Sequence, residues 1–123
     1  MTSRLFAILP LLFLPLAASA GEARLVSAVA SHPAMGWRFD VTVEHDDTGW
    51  EHYVDGWEVV DAEGNRLGYR DLAHPHLHEQ PFTRSLTGVM LPDGTREVFI
   101  RIHCSDKGWS EKRYRIELEP EDW

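Results

Sequence analysis

The sequence contains little cysteine, and it has no sustained helical pattern. Cys104 is the only cysteine among 123 residues, so an intramolecular disulfide is excluded. Basic residues number 12 against 20 acidic ones, which gives a formal net charge of -8. Such a surface repels nucleic acid and anionic lipid, so neither is a predicted partner. Because no Ser-His-Asp order, glycine-rich phosphate loop or acidic pair stands out, catalysis is not predicted.

The first 20 residues have the pattern of an export signal. Arg4 precedes an apolar run over residues 5–18, and Ala-Ser-Ala at residues 18–20 suits signal peptidase. The run is shorter than the roughly 20 residues that cross a bilayer, and no cysteine follows the cleavage point for lipid attachment. We therefore expect a signal peptide over residues 1–20 and one domain over residues 21–123, in a periplasmic or secreted protein without a membrane anchor.

Beyond the leader, the chain consists of short alternating segments separated by turn residues, which indicates strands. Apolar and polar residues alternate over residues 37–44 and again over residues 98–104. Turns are predicted at DAEGN, residues 61–65, and at PDG, residues 92–94. A weaker pattern predicts a first edge strand over residues 24–30. About seven strands in roughly 100 residues predict an all-β, immunoglobulin-like or fibronectin-like sandwich.

Single residues refine this reading. Tyr53, Trp57 and Val59 are expected to begin the second alternating run, with Trp57 in the core. Phe82 falls on an even position and Val89 on an odd one, so the apolar pattern changes phase near residue 88. Since residue 88 is a glycine, a β-bulge is predicted there.

The alternation over residues 98–104 also predicts the state of the lone thiol. Cys104 shares the parity of the core positions, so we expect a buried, inert thiol and a monomer without a disulfide. If the chain instead bulges before Ser105, the thiol reaches the surface beside His103, where it could ligate a metal or link two subunits. A type 1 copper centre is not predicted, because nothing after Cys104 supplies the required His and Met spacing.

Residues 57–89, WEVVDAEGNRLGYRDLAHPHLHEQPFTRSLTGV, resemble a segment of uncharacterised small exported bacterial proteins. The shared motif is HPHxxEQPFTRSL, which lies here at residues 74–86. The resemblance covers about a third of the mature chain. It implies an exported β-sandwich and no particular activity. His78 falls at a position that varies in that family.

The motif predicts two alternative kinds of site. In an extended chain, side chains at alternate positions share a face about 6.5 to 7 Å apart, so His74, His76 and His78 could bind Cu or Zn together. Glu79 could orient a ring, and His103 could add a ligand from its strand. Because histidine must be deprotonated to coordinate, such uptake would weaken below about pH 6 to 6.5. The other reading is a polar connection that caps the edge of the sandwich.

Unusual residues are concentrated in residues 71–84, so the first functional hypothesis is a noncatalytic binding module that contacts an unknown protein or small ligand there. Its expected binding residues are His74, His76, Glu79 and Arg84. Strict alternation would bury Arg84 and require a carboxylate partner, either Glu79 or Asp71; alternatively Arg84 contacts an anion at the edge of the sandwich.

Two tryptophans add a further possibility. Trp50 and Trp109 are expected in loops, where they could form a binding surface.

Overall fold

A computed structural model of the protein describes residues 22–119. The predicted signal peptide lies outside these residues. The described part of the chain contains eight strands and no helix, so no membrane-spanning helix occurs within it. The strands are β1 (Arg24–Ser31), β2 (Trp37–Glu44), β3 (Val54–Val60), β4 (Arg66–Asp71), β5 (Phe82–Val89), β6 (Glu97–Cys104), β7 (Gly108–Trp109) and β8 (Tyr114–Glu117).

The strands form two antiparallel sheets. The smaller sheet has the order β1-β2-β5, and the larger has the order β4-β3-β6, with β7 and β8 both paired to β6. This order is that of a fibronectin-like sandwich, so the predicted fold class is confirmed. The predicted count of about seven becomes eight because the last strand is interrupted: β7 pairs with His103 and Cys104, and β8 pairs with residues 97–100.

The core lies between the two sheets and follows the predicted alternation. Every second residue of β2 and of β6 is buried, because successive side chains of a strand point to opposite faces. Trp57 is buried there, as the sequence predicts, and so is Trp37. The fully buried larger side chains are Trp37, Trp57, Phe39, Phe82, Ile100, Ile102, Val41, Val43, Val54, Val59, Val60 and Val98.

The bulge predicted near residue 88 is present. Trp37 pairs with Val89, but Phe39 pairs with Leu86, so β5 has one more residue than β2 over this interval. Gly88 has φ +69°, which an L side chain adopts only with strain. A Cβ on Gly36 would lie 2.9 Å from the backbone of Gly88, so the chain before β2 packs directly against the bulge.

The start of β3 differs from the prediction. Val54, not Tyr53, occupies the inward position, with no exposed surface. The cause is a second bulge: Val54 pairs with Cys104, whereas Gly56 pairs with His103, so Asp55 is the extra residue. Asp55 interrupts the alternation in the sequence, because the inward-facing positions before it and after it have opposite parity.

Both predicted turns form where the sequence places them. The Asp61 carboxylate accepts hydrogen bonds from the backbone N–H groups of Glu63 and Asn65, which lowers the pKa of Asp61, mainly through its contacts with Asn65. The N–H of Thr95 donates to the carbonyl of Pro92 over 3.1 Å and closes the second turn. These contacts join β3 to β4 and β5 to β6.

Candidate functional site at the histidine connection

Residues 72–81, here called the connection, cross from the end of β4 in the larger sheet to the start of β5 in the smaller one. Leu72 is buried in the core, and its N–H donates to the carbonyl of Asp55 over 2.9 Å. His74, Leu77, His78 and Glu79 are exposed. The connection is therefore anchored at its start and presents several side chains to solvent.

His76 lies inside the protein rather than on this exposed surface. It is 5% exposed, and its ring stacks on Phe82 with centroids 3.8 Å apart and planes 8° apart. The guanidinium of Arg84 donates to its Nε2 over 3.0 Å. Since Arg is always protonated, Nε2 accepts and the ring proton of neutral His76 lies on Nδ1. That Nδ1 is buried and has no hydrogen-bond partner within residues 22–119.

Burial lowers the pKa of His76, and the positive charge of Arg84 and the proximity of His74 lower it further. His76 is thus a neutral acceptor for Arg84 near neutral pH. This role follows from the fold around the ring, and the alternation of histidines in the sequence does not reveal it.

Asp47 holds the connection against the loop that follows β2. Its side chain has no exposed surface, and it accepts three hydrogen bonds: from Nδ1 of His45 at 2.5 Å, from the N–H of Val54 at 3.1 Å and from the N–H of His76 at 2.8 Å. Two of these donors are backbone groups that would otherwise be buried without a partner. Asp47 was not singled out in the sequence, because an Asp in HDDTG looks like an ordinary loop residue.

Gln80 makes a second link between the same two segments. Its Oε1 accepts from the N–H of His45 over 3.0 Å, and its Nε2 donates to the carbonyl of His76 over 3.0 Å. Together Gln80 and Asp47 hold the connection at His76, while Asp55 holds it at Leu72. Gln80 and Phe82 of the motif therefore help to hold the connection in place, whereas Glu79 is exposed.

Arg84 occupies an intermediate position on β5. Its side chain is 30% exposed, and Glu79 approaches it only to 3.9 Å. Its nearer contacts are the carbonyl of Thr83 at 2.7 Å and the ring of His76. The expected contact with Glu79 therefore exists but is not bidentate, and no carboxylate within the described residues lies closer to this guanidinium. No carboxylate within the described residues accepts a hydrogen bond from this guanidinium, which lies at the edge of the sandwich.

The four predicted metal ligands are only partly brought together. The rings of His74 and His76 lie 4.7 Å apart, but Nε2 of His76 faces Arg84, whose positive charge opposes a cation. His103 points away from the core, as its parity predicts, and its Nδ1 lies 2.5 Å from Asp55. Among residues 22–119, no three of His74, His76, His78 and His103 place ligand atoms within 4.8 Å of one another.

A different set of ligating side chains does meet. His45, His52 and Cys104 each offer one ligand atom, and these atoms lie within 4.8 Å of one another. The two histidines converge because the turn between them is tight: the N–H of Thr48 donates to the carbonyl of His52, and the N–H of His52 donates to that of Gly49. The sequence shows that the two histidines lie on one short loop before β3. It does not show that Cys104 lies beside them, because that depends on the pairing of Val54 with Cys104 between β3 and β6.

The two candidate loop tryptophans have different surroundings. Trp50 is 68% exposed and packs edge-on against Tyr53. Trp109 belongs to the short strand β7, is half-buried, and contacts Tyr69 and His103 edge-on. Trp109 is thus part of the outer layer of the larger sheet, whereas most of the surface of Trp50 is exposed to solvent.

Comparison with known proteins finds one informative similarity. A protein described as "Putative lipoprotein" from Halomicrobium mukohataei is 41% identical over 81 residues, which cover 66% of this chain. The chain spans only 39% of that protein's length. No family model and no solved structure matches the chain.

Proposed function

We propose that the protein is an exported, noncatalytic β-sandwich that binds a partner through the connection and Arg84. The observation that carries this proposal is the guanidinium of Arg84, which is 30% exposed and whose nearest carboxylate among the described residues, that of Glu79, lies 3.9 Å away. An anionic group of a partner, such as a carboxylate, would complete its hydrogen bonds in the paired geometry that arginine favours. The partner is a protein or a small ligand.

The surroundings of Arg84 suit recognition because they are rigid and accessible. Asp47 and Gln80 hold the connection by hydrogen bonds, so little conformational entropy is lost when a partner binds. The exposed side chain of Leu77, at 51%, offers apolar contact, and His74 and Glu79 offer polar contacts beside it. His76 then acts by positioning Arg84 rather than by touching the partner.

Export is part of the proposal and has two supports. Residues 1–20 have the pattern of a signal peptide, and the similar protein is described as "Putative lipoprotein". Lipid attachment is not proposed for this chain, because Cys104 is its sole cysteine and is buried at the end of β6. We place the protein in the periplasm or outside the cell, as a monomer.

Metal binding by His74, His76, His78 and His103 is the weaker proposal for this region. Arg84 bonds to Nε2 of His76, and Asp55 bonds to Nδ1 of His103. A Cu or Zn ion on Nε2 of His76 would have to displace Arg84, and no three of these histidines bring their ligand atoms together within residues 22–119, so the geometry favours recognition of an anion.

The test compares partner capture by three variants that each keep the fold. Arg84→Gln and Leu77→Asp are expected to reduce crosslinking of envelope proteins or ligands at least tenfold, measured by quantitative mass spectrometry. Arg115→Gln is the control with the same change of charge, because Arg115 is an exposed arginine on β8 paired with Glu97. Near-ultraviolet circular dichroism of the buried tryptophans verifies folding. Equal capture by wild type, Arg84→Gln and Leu77→Asp would exclude the proposal.

A further inference from the structure

The cluster of His45, His52 and Cys104 lies apart from the connection's exposed surface and has the dimensions of a metal site. Sγ of Cys104 is 3.6 Å from Nδ1 of His52. An ion bound tetrahedrally at about 2.3 Å from sulfur and 2.0 to 2.1 Å from nitrogen separates these two ligands by roughly 3.6 Å. The pair is therefore already at the spacing that coordination requires.

His45 completes the set with a modest adjustment. The rings of His45 and His52 have centroids 4.7 Å apart, tilted by 46°, and all three ligand atoms lie within 4.8 Å. Two nitrogens on a tetrahedral ion are about 3.3 Å apart, so the ligand atoms need to approach one another by at most about 1.5 Å. Cys104 is buried and His52 is partly buried, so the site is shielded from bulk water.

A buried carboxylate already orients one of the rings. Asp47 accepts from Nδ1 of His45, and the side chains of both residues have no exposed surface. Carboxylates in this position fix the tautomer of metal-binding histidines, and coordination through Nε2 preserves the hydrogen bond. The N–H groups of Val54 and His76 hold Asp47 in turn, so the support for His45 is itself rigid.

We propose that His45, His52 and Cys104 bind one Zn(II) or Cu(I) ion. Thiolate and imidazole are the donors that these ions prefer, whereas Mg and Ca prefer oxygen. Binding releases the Cys104 proton to solvent, because the thiolate is the ligand. A fourth position is available to water or to the exposed Asp106, whose Oδ2 lies 3.5 Å from Nδ1 of His52.

Cys104 also lines a cleft of about 300 Å³, together with Ala23 and residues 107–111. Two imidazoles as well as aliphatic groups lie beside Cys104. Filling the core therefore does not by itself explain the surroundings of this cysteine, whereas metal binding does.

The experiment is a competition titration of the purified protein with Zn(II), and separately with Cu(I), against chromophoric chelators. We expect one ion per chain for at least one of the two metals, with affinity reduced at least 100-fold by Cys104→Ser and by His52→Ala. Asp47→Asn should weaken binding by about tenfold. The double variant His74→Ala/His78→Ala is the control and should bind as wild type does, since both of its histidines are exposed.

Co(II) substitution provides a readout that does not depend on affinity. A thiolate-to-metal absorption band in wild type that is absent in Cys104→Ser identifies sulfur as a ligand, and circular dichroism shows whether each variant is folded. Uptake that survives in folded Cys104→Ser, or that disappears in His74→Ala/His78→Ala, would overturn the proposal. Affinity for both metals no greater than that of a generic surface histidine would do the same.

Discussion

His76 is the residue whose role changes most between sequence and structure. In the sequence it is the middle member of three alternating histidines and is a predicted metal ligand. In the structure it is buried, stacked on Phe82 and hydrogen-bonded to Arg84. Burial lowers its pKa, so the neutral ring is the form that the folded protein stabilises.

This shift predicts a loss of stability in acid. The pKa of His76 is near 6.5 in the unfolded chain and lower in the folded protein, so below pH 6.5 the unfolded chain binds more protons. The contribution of His76 is therefore complete above about pH 6.5 and is lost as the pH falls towards the folded pKa. From this one group, the free energy of unfolding changes by at most about 1.4 kcal/mol per pH unit. Urea unfolding of wild type between pH 5 and pH 8 measures it.

Two variants isolate the contribution of this ring. His76→Gln should flatten the dependence of the unfolding free energy on pH, because glutamine does not titrate but can still accept from Arg84. His78→Gln removes an exposed histidine of the same connection that is not among the groups shifting the pKa of His76, and it should leave the wild-type slope nearly unchanged. Identical slopes for wild type and His76→Gln would mean that His76 is not held neutral by the fold.

At the scale of elements, a few side-chain contacts decide how two irregular segments pack together. The loop after β2 and the connection share no strand pairing, yet Asp47 and Gln80 bind both of them. A buried carboxylate that accepts from backbone N–H groups replaces the pairing that a sheet would provide. The candidate binding surface and the candidate metal cluster are both built on this junction.

Asp47→Ala should therefore destabilise the protein strongly. The N–H groups of Val54 and His76 would lose their acceptor in a buried setting, and each such loss costs about 1 to 3 kcal/mol. We expect a decrease in unfolding free energy of about 2 to 5 kcal/mol, measured by urea denaturation. Asp93→Ala, in the exposed turn after β5, is the control and should change stability by no more than about 0.5 kcal/mol. A similar small effect of Asp47→Ala would show that water replaces the carboxylate.

The sequence predicts regular elements better than it predicts this junction. Strands β2 and β6 were foreseen because their apolar residues alternate without interruption, and the bulge at Gly88 was foreseen because glycine marks the change of phase. The bulge at Asp55 was missed because its extra residue carries no comparable signal. Contacts of Asp47 and Gln80 depend on which loops meet at one end of the sandwich, and that information lies in the tertiary packing rather than in any local pattern.

At the scale of the whole molecule, the reactivity of the Cys104 thiol measures how readily the sandwich opens. It is 4% exposed and pairs with Val54 of β3 on one side and Gly108 of β7 on the other. The parity of β6 predicted this burial, and the predicted core position is confirmed. Its imidazole neighbours, by contrast, could not be predicted, since they come from a loop about 50 residues earlier in the chain.

A buried thiol on a strand that is paired on both sides should react only when the sheet opens. We expect the thiol of the native protein to be labelled slowly in the presence of a metal chelator. The labelling rate should rise with urea concentration, with the same urea dependence as the free energy of global unfolding. Asp93→Cys in a Cys104→Ala background provides an exposed thiol for comparison and should label at the rate of an unfolded peptide. A weaker dependence on urea would mean that the reagent enters through the cleft beside residues 107–111, by local opening. Rapid labelling without urea, or a dimer that reductant dissolves, would contradict both the burial of the thiol and the monomeric state.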